Sequence, residues 1–280
     1  MRLVIQGQHI APAQLTHIST LAGGGQFHQT GDHAFSLPDV EITDSIKNYC
    51  AEYCTAQQLD FAFVPDQLTL DTVGLVVMDM DSTLIAIECI DEVADMQNIK
   101  PQVAAITESA MRGEMEFAES LRRRVALLQG LDQSALQRVH DERLKLSPGA
   151  EIMLATLKQH GVKTMLVSGG FDFFTDRLKA RLGLDFAESN TLEIVDGKLT
   201  GKVVGTILDA QGKATWLNRI RTQLGLEKDQ VIAVGDGSND LKMMAEAGYS
   251  VAYHAKPVVR AQATFALNHV GLDGLIGLLS

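Results

Sequence analysis

The chain has 280 residues, a net charge of −11, and 46% hydrophobic against 21% charged residues. That length can bury a full core and hold two domains, and the composition is that of an ordinary globular protein. The acidic balance argues against nucleic acid or an anionic membrane as partner, while an anionic substrate needs only a locally positive pocket.

From the start of the chain, Met1 to Gly7 has too little apolar character for a signal peptide. No later run approaches the ~20 apolar residues of a membrane span. Leu3-Val4-Ile5 reads as a strand, and Ala11 to Leu21 as a helix closed by Gly23-Gly24-Gly25. Strands follow near Gln26-Phe27-His28 and Ala34-Phe35-Ser36, with Gly31-Asp32 as the turn. A helix from Ile42 to Gln58 and a strand Phe61-Ala62-Phe63-Val64 complete a βαββαβ order. This predicts a small α+β, ferredoxin-like domain over residues 1–70. The order resembles amino-acid-binding regulatory modules attached to metabolic enzymes. A domain that only packs or forms a homodimer has the same order. The three cysteines, Cys50, Cys54 and Cys89, fit a reducing cytoplasm and read as free, partly buried thiols.

Pro65 to Asp71 reads as a link. From Val73 onward strands and helices alternate, which predicts an α/β, Rossmann-like parallel sheet over residues 71–280. Its strands are expected at 73–78, 162–167, 231–234, 249–252 and 265–268. A helix-rich insertion at 88–148, with helices ending near Gly113, Gly130 and Pro148, is expected to cap the strand ends. A smaller insertion at 190–207 holds a hairpin, Ile194 to Leu199, with an Asp196-Gly197 turn.

The strongest chemical signal is Asp79-Met80-Asp81-Ser82-Thr83, directly after the apolar run Val73-Gly74-Leu75-Val76-Val77-Met78. Ligands of open α/β sheets bind at the carboxyl ends of strands, and side chains two apart in extended chain leave on one side. Two like charges so placed call for a cation, a shared proton, or both. Three weaker signals follow. Ser168-Gly169-Gly170 after a strand is either ordinary loop chemistry or a phosphate cradle at a helix start. Lys213 opens a helix, where a lysine ordinarily points to solvent. Gly235-Asp236-Gly237-Ser238-Asn239-Asp240 is either a hard-cation site or a tight turn with Asn239 or Asp240 as helix cap. The two are compatible for Asp236.

In this order the four motifs resemble the haloacid dehalogenase superfamily, in particular its phosphatase branch and more narrowly the phosphoserine phosphatases. The likeness runs from about Val73 to the C-terminus, with Lys242 a minor departure, and leaves the first 70 residues outside. It implies that Asp79 is the nucleophile forming an aspartyl-phosphate, and that Asp81 protonates the leaving oxygen and then activates water. It also implies Mg²⁺ on Asp79, the Asp81 main-chain carbonyl and Asp236, supported by Asp240 and Asn239. Ser168, Gly169 and Lys213 would hold the phosphoryl group, with Ser82 and Thr83 supplying backbone N–H groups and hydroxyls beside the nucleophile. In the cap, Glu88 would meet the ammonium and Arg124 the carboxylate of O-phospho-L-serine, under cover of Met111 and Phe117. Periodicity agrees, since Phe117, Leu121, Val125 and Leu128 form an apolar stripe with Arg124 on its edge, while Arg122 and Arg123 project elsewhere.

The bland reading of Glu88 and Arg124 is a salt bridge within the cap. Other functions in view are a phosphatase for a different small phosphoester, a phosphotransferase returning phosphate to serine, an aspartate-phosphorylated signalling module, and an amino-acid sensor. The implied activity is hydrolysis of O-phospho-L-serine, the last step of serine biosynthesis in that family.

Overall fold

The computed structural model describes residues 1–111 and 114–280, of Met111 the backbone only. Two sheets organise it. The first has the antiparallel order β2-β3-β1-β4, from β1 (Arg2–Gln6), β2 (His28–Gly31), β3 (Ala34–Leu37) and β4 (Asp60–Val64). This is the sheet order a ferredoxin-like βαββαβ chain produces. One face is packed by α1 (Pro12–Leu21) and α2 (Asp44–Ala56), through Leu3, Ile5, Ile18, Cys50 and Cys54. The Thr43 hydroxyl caps α2 by accepting the Ile46 N–H at 3.2 Å. Burial pushes the Cys50 thiol up to about 11 and Cys54 up to about 12, so both are inert at neutral pH. The hairpin turn falls at Asp32-His33, one residue later than expected, because an irregularity between Gln29 and Gly31 brings Gly31 opposite Ala34.

The other face of this sheet meets the C-terminal helix. Val4, Ala62 and Val64 share one core with Leu275, Leu278 and Leu279 of α12 (Gly274–Leu279). Polar contacts fix the junction. The Asp60 carboxylate, only 3% exposed, accepts the main-chain N–H of Asn268 and His269, each at 2.8 Å, and of Val270 at 3.3 Å. Arg2 donates to the carbonyls of Pro65 (3.0 Å), Leu68 (2.7 Å) and Leu278 (2.8 Å). A Cβ on Gly277 would lie 2.6 Å from the Gln6 side chain and 2.8 Å from Ala34, so the helix needs glycine to sit this close.

The second sheet has seven strands in the order β11-β10-β9-β5-β6-β7-β8. They are β5 (Leu75–Met78), β6 (Lys163–Phe171), β7 (Phe186–Val195), β8 (Lys198–Val204), β9 (Val231–Gly235), β10 (Tyr249–Tyr253) and β11 (Phe265–Leu267). All pairs are parallel except β7–β8, the hairpin turning at Asp196-Gly197, whose φ angles of 50° and 76° suit a two-residue turn. β5, fully buried, lies between β6 and β9, so the chain leaves to opposite sides of it and opens a crevice at its carboxyl end.

Over that crevice lie α3 (Cys89–Asp95), α4 (Lys100–Met111), α5 (Phe117–Ala126), α6 (Ser134–Arg138) and a π-helical turn, Val139–Arg143. The expected helix end near Gly113 lies outside the described residues. Arg143 clasps Glu92 and Asp95, each at 2.6 Å, tying the last turn of this insertion to its first helix. Leu121, Val125 and Leu128 are buried as the periodicity required, while Arg122 and Arg123 face solvent. α7 (Ala150–Gln159), α8 (Asp172–Leu182), α9 (Ala210–Gln223), α10 (Leu241–Glu246) and the short α11 (Pro257–Arg260) complete the order. Among the described residues no helix is long and apolar enough to cross a membrane.

Candidate active site

The end of β5 sets the site. Asp79 is held to β9 by its N–H, which donates to the Val234 carbonyl at 3.0 Å. Its carboxylate Oδ1 accepts the Met80 N–H and the Lys213 ammonium, both at 2.7 Å. The chain then folds back tightly. Ser82 sits at φ 55°, a left-handed conformation uncommon for a side-chain-bearing residue. Its N–H donates to Ile87, that of Thr83 to Met80 and that of Leu84 to the Asp79 carbonyl. This corrects the expectation for Ser82 and Thr83, because their N–H groups close the turn. Their hydroxyls are directed onto acids, Ser82 to Glu88 at 2.7 Å and Thr83 to Asp236 at 3.2 Å.

The end of β6 differs from expectation. The strand runs on through Ser168-Gly169-Gly170 to Phe171, and α8 begins only at Asp172. The Ser-Gly-Gly segment is therefore a splayed strand end, with the β6–β7 register shifting between Val167 and Phe171, and not a helix start. The Gly170 N–H donates to the Ser168 Oγ at 2.8 Å, which leaves the hydroxyl proton for another acceptor. A Cβ on Gly170 would stand 2.9 Å from an Asp81 carboxylate oxygen. Behind the segment, buried Asn190 donates to the Gly169 carbonyl at 2.9 Å and accepts the Leu208 N–H at 2.7 Å. Asn190 gave no sequence signal, since a lone asparagine in a strand has no local signature.

Lys213 lies in the fourth position of α9, after the Asp209 cap, and not at its opening. It is 1% exposed and donates to Asp79 and Asp240, both at 2.7 Å. Burial acts to lower it, yet Asp240 and Asp79 together hold it above the ordinary lysine value. It is a buried cation beneath the nucleophile, not a residue lining the cavity. Asp240, fully buried, uses its other oxygen to accept the Gly237 N–H at 3.1 Å, which closes the short turn Ser238–Asp240, and it stands at the N-cap position of the α-helix Leu241–Glu246, as the turn reading allowed.

Asp79, Asp236 and Asp240 form an oxygen cluster with atoms within 4.8 Å of one another. Burial first, then the neighbouring acids, push Asp79 well above the carboxylate range and Asp236 up to about 6. With all three acids ionised, the one ammonium between Asp79 and Asp240 leaves two negative charges unbalanced, and an all-oxygen donor set suits a hard divalent cation. The residues therefore fit Mg²⁺. Asp81 stands apart from the cluster; its carboxylate accepts the Cys89 N–H at 2.9 Å, and burial, reinforced by Glu88, pushes it up to about 7.

The crevice and the capping helices enclose a cavity of about 510 Å³, within the range of small-ligand sites. Asp79, Asp81, Ser168, Gly169, Asp236 and Asn239 line its floor, and Glu88, Phe117 and Arg124 its roof. Eight of the expected site residues thus share one space with Asp79, while Lys213 and Asp240 lie beneath it. The side chain of Met111 lies outside the described residues. The Phe117 ring covers Gly169, 2.8 Å from where a Cβ would be. Burial lowers Arg124 from the ordinary guanidinium value, with Asp91, Glu88 and Asp81 opposing. Glu88 is hydrogen-bonded to Ser82 and not to Arg124, so no cap salt bridge joins that pair among the described residues. Asp91 also lines the cavity and is raised by burial.

A profile of the haloacid dehalogenase-like hydrolases matches residues 73–248. The chain belongs to this family. Among hydrolases of this kind, a phosphoserine phosphatase of Polaromonas is 53% identical over 77% of this chain and 93% of its own length. That of Vibrio cholerae is 42% identical over 99% of this chain and 84% of its own. A crystal structure of the probable Vibrio cholerae phosphoserine phosphatase, unliganded, superposes with a TM-score of 0.86 over 99% of this chain and 86% of that one. A substrate-bound phosphoserine phosphatase complex, 36% identical, superposes at 0.70 over 74% of this hydrolase and 99% of that chain.

Proposed function

We propose that the protein is a Mg²⁺-dependent phosphatase that hydrolyses O-phospho-L-serine to L-serine and phosphate through an aspartyl-phosphate on Asp79. The observation that carries this reading is one capped cavity with a carboxylate pair at its floor and, at its roof, an acid and a half-buried arginine not paired to each other. An amino acid's ammonium and carboxylate suit such a roof, and a phosphate ester suits the floor. The phosphoserine phosphatase relatives support the same assignment.

Asp79 Oδ1 is pinned by Lys213 and Met80, so Oδ2 faces phosphorus and forms the new P–O bond. The bond to the serine oxygen breaks, and Asp81 gives that oxygen its proton. A carboxyl near 7 is protonated in a large share of molecules at neutral pH, as this step needs. After serine leaves, Asp81 takes a proton from water, whose oxygen attacks the aspartyl-phosphate and releases phosphate. Ser168 donates its hydroxyl proton to a phosphoryl oxygen, while Lys213 offsets charge from below the nucleophile. Mg²⁺ on Asp79, the Asp81 carbonyl and Asp236, with Asp240 and Asn239 behind it, would supply positive charge to the phosphoryl group. Residues 88–148 act as the substrate-selecting cap of a catalytic unit spanning 71–280, and residues 1–70 form a separate unit docked on its C-terminal helix. The setting is the last step of serine biosynthesis in a reducing cytoplasm, which buried free thiols suit.

The test is phosphate release from L-phosphoserine, phosphothreonine and glycerol phosphate, with Mg²⁺ and with chelator. Fast, Mg²⁺-dependent release from phosphoserine above the others is expected. Equal rates on all three would remove Glu88 and Arg124 as serine-recognising groups.

A further inference from the structure

Buried hydroxyls in native structures find hydrogen-bond partners, and one that does not calls for an explanation. On helices the usual partner is the carbonyl four residues back. Thr107, Thr156, Thr215 and Thr222 all use it here, at 3.1, 2.9, 2.8 and 2.8 Å. Ser120 does not. It lies on α5, is 1% exposed, and its Oγ has no hydrogen-bond partner among the described residues. Ser120 also lines the cavity of the proposed active site, as does Arg124 one helical turn on. The two are already joined, because Arg124 Nε donates to the Ser120 carbonyl at 3.4 Å. An unpartnered buried hydroxyl thus sits one helical turn from a half-buried guanidinium, on two residues that line the same cavity.

We infer that Ser120 is a specificity-determining residue whose hydroxyl donates to the substrate carboxylate held by Arg124. This rests on the phosphoserine reading above and deepens it. The choice of the carboxylate over the ammonium follows from charge. The acids lining this end of the cavity, Glu88 and Asp91, supply acceptors for an ammonium. An anion beside Arg124 has room for a further donor, and a hydroxyl with both its proton and its lone pairs uncommitted can turn the proton that way. The substrate then satisfies a group that is unpaired in the free protein, so a ligand without the carboxylate leaves the Ser120 hydroxyl unpaired as before. Discrimination against such a ligand is largest where a buried polar group stays unsatisfied.

The experiment compares wild type and Ser120→Ala on O-phosphoserine and on O-phosphoethanolamine, the same phosphoester without the carboxylate. In the variant, KM for phosphoserine is expected to rise about tenfold, the size of one hydrogen bond to a charged group. On phosphoethanolamine, kcat/KM is expected to stay within about twofold of wild type, since no such hydrogen bond is lost. The melting temperature should hold or rise, because alanine removes an unpaired polar atom. A loss of equal size on both substrates, or none on phosphoserine, would overturn the role of Ser120 while leaving the phosphatase reading intact. A wild-type protein with no preference for phosphoserine would overturn both.

Discussion

Replacing Lys213 by methionine removes one buried positive charge and changes little else in volume. In the wild type this ammonium lies between Asp79 and Asp240 at 2.7 Å from each, almost wholly out of contact with water. Taking one partner from a buried ion pair costs about 3–5 kcal/mol, because the remaining charges are left uncompensated. Here the remainder is three carboxylates within 4.8 Å of one another, so the cost should lie at the upper end in the absence of a divalent cation. The loss should also depend on pH. Asp236 is raised on folding from 3.8 to about 6, so the folded state binds its proton more tightly than the unfolded state. Such a group contributes fully below its unfolded value and loses that contribution as pH rises through about 6. Without Lys213 the cluster is raised further, and the variant should recover as the acids take up protons. Urea denaturation with chelator at about pH 7.5 and about pH 5 measures both effects. A loss below about 1 kcal/mol at the higher pH, or an equal loss at both, would refute the charge balance drawn for this cluster.

Three further changes probe the supports of the site. Asn190→Ala removes the bonds to Gly169 and Leu208 that brace the Ser-Gly-Gly segment, and kcat should fall at least about tenfold with KM less affected, measured by steady-state kinetics. Gly170→Ala places a methyl 2.9 Å from Asp81 and from Met80 and 3.0 Å from Ser168; its overpacking should cost about 1–3 kcal/mol, read as lost turnover with little change in far-UV circular dichroism. Asp60→Ala orphans the main-chain N–H groups of residues 268–270, and its denaturation free energy should drop by about 2–4 kcal/mol while kcat on phosphoserine is retained.

What could be read in the sequence was whatever is encoded locally. β5 and β9 are short, β-branched runs ending in acids, so their identity as buried strands and the placement of Asp79 and Asp236 at their ends follow from pattern. The stripe on α5 likewise sets Arg124 on its edge, while its place at the cavity follows only from the family resemblance. The groups that escaped act through distance in the chain. Asn190 braces Gly169 across 21 residues, and Asp60 binds amides 208 to 210 residues away. Neither pairing leaves a trace near the residue itself. The motif marks Lys213 but not its burial, because a helical lysine reads as solvated until the fold brings two acids over it. The same limit applied to α12, whose role in covering the first sheet depends on residues at the opposite end of the chain.

The central claim is that Asp79 attacks the phosphorus of phosphoserine, and the most direct measurement is rapid acid quenching of the enzyme turning over ³²P-labelled phosphoserine, with the labelled peptide identified. The label should appear on Asp79, and Asp79→Asn should show neither label nor phosphate release. Label on another residue, or turnover surviving in Asp79→Asn, would contradict it.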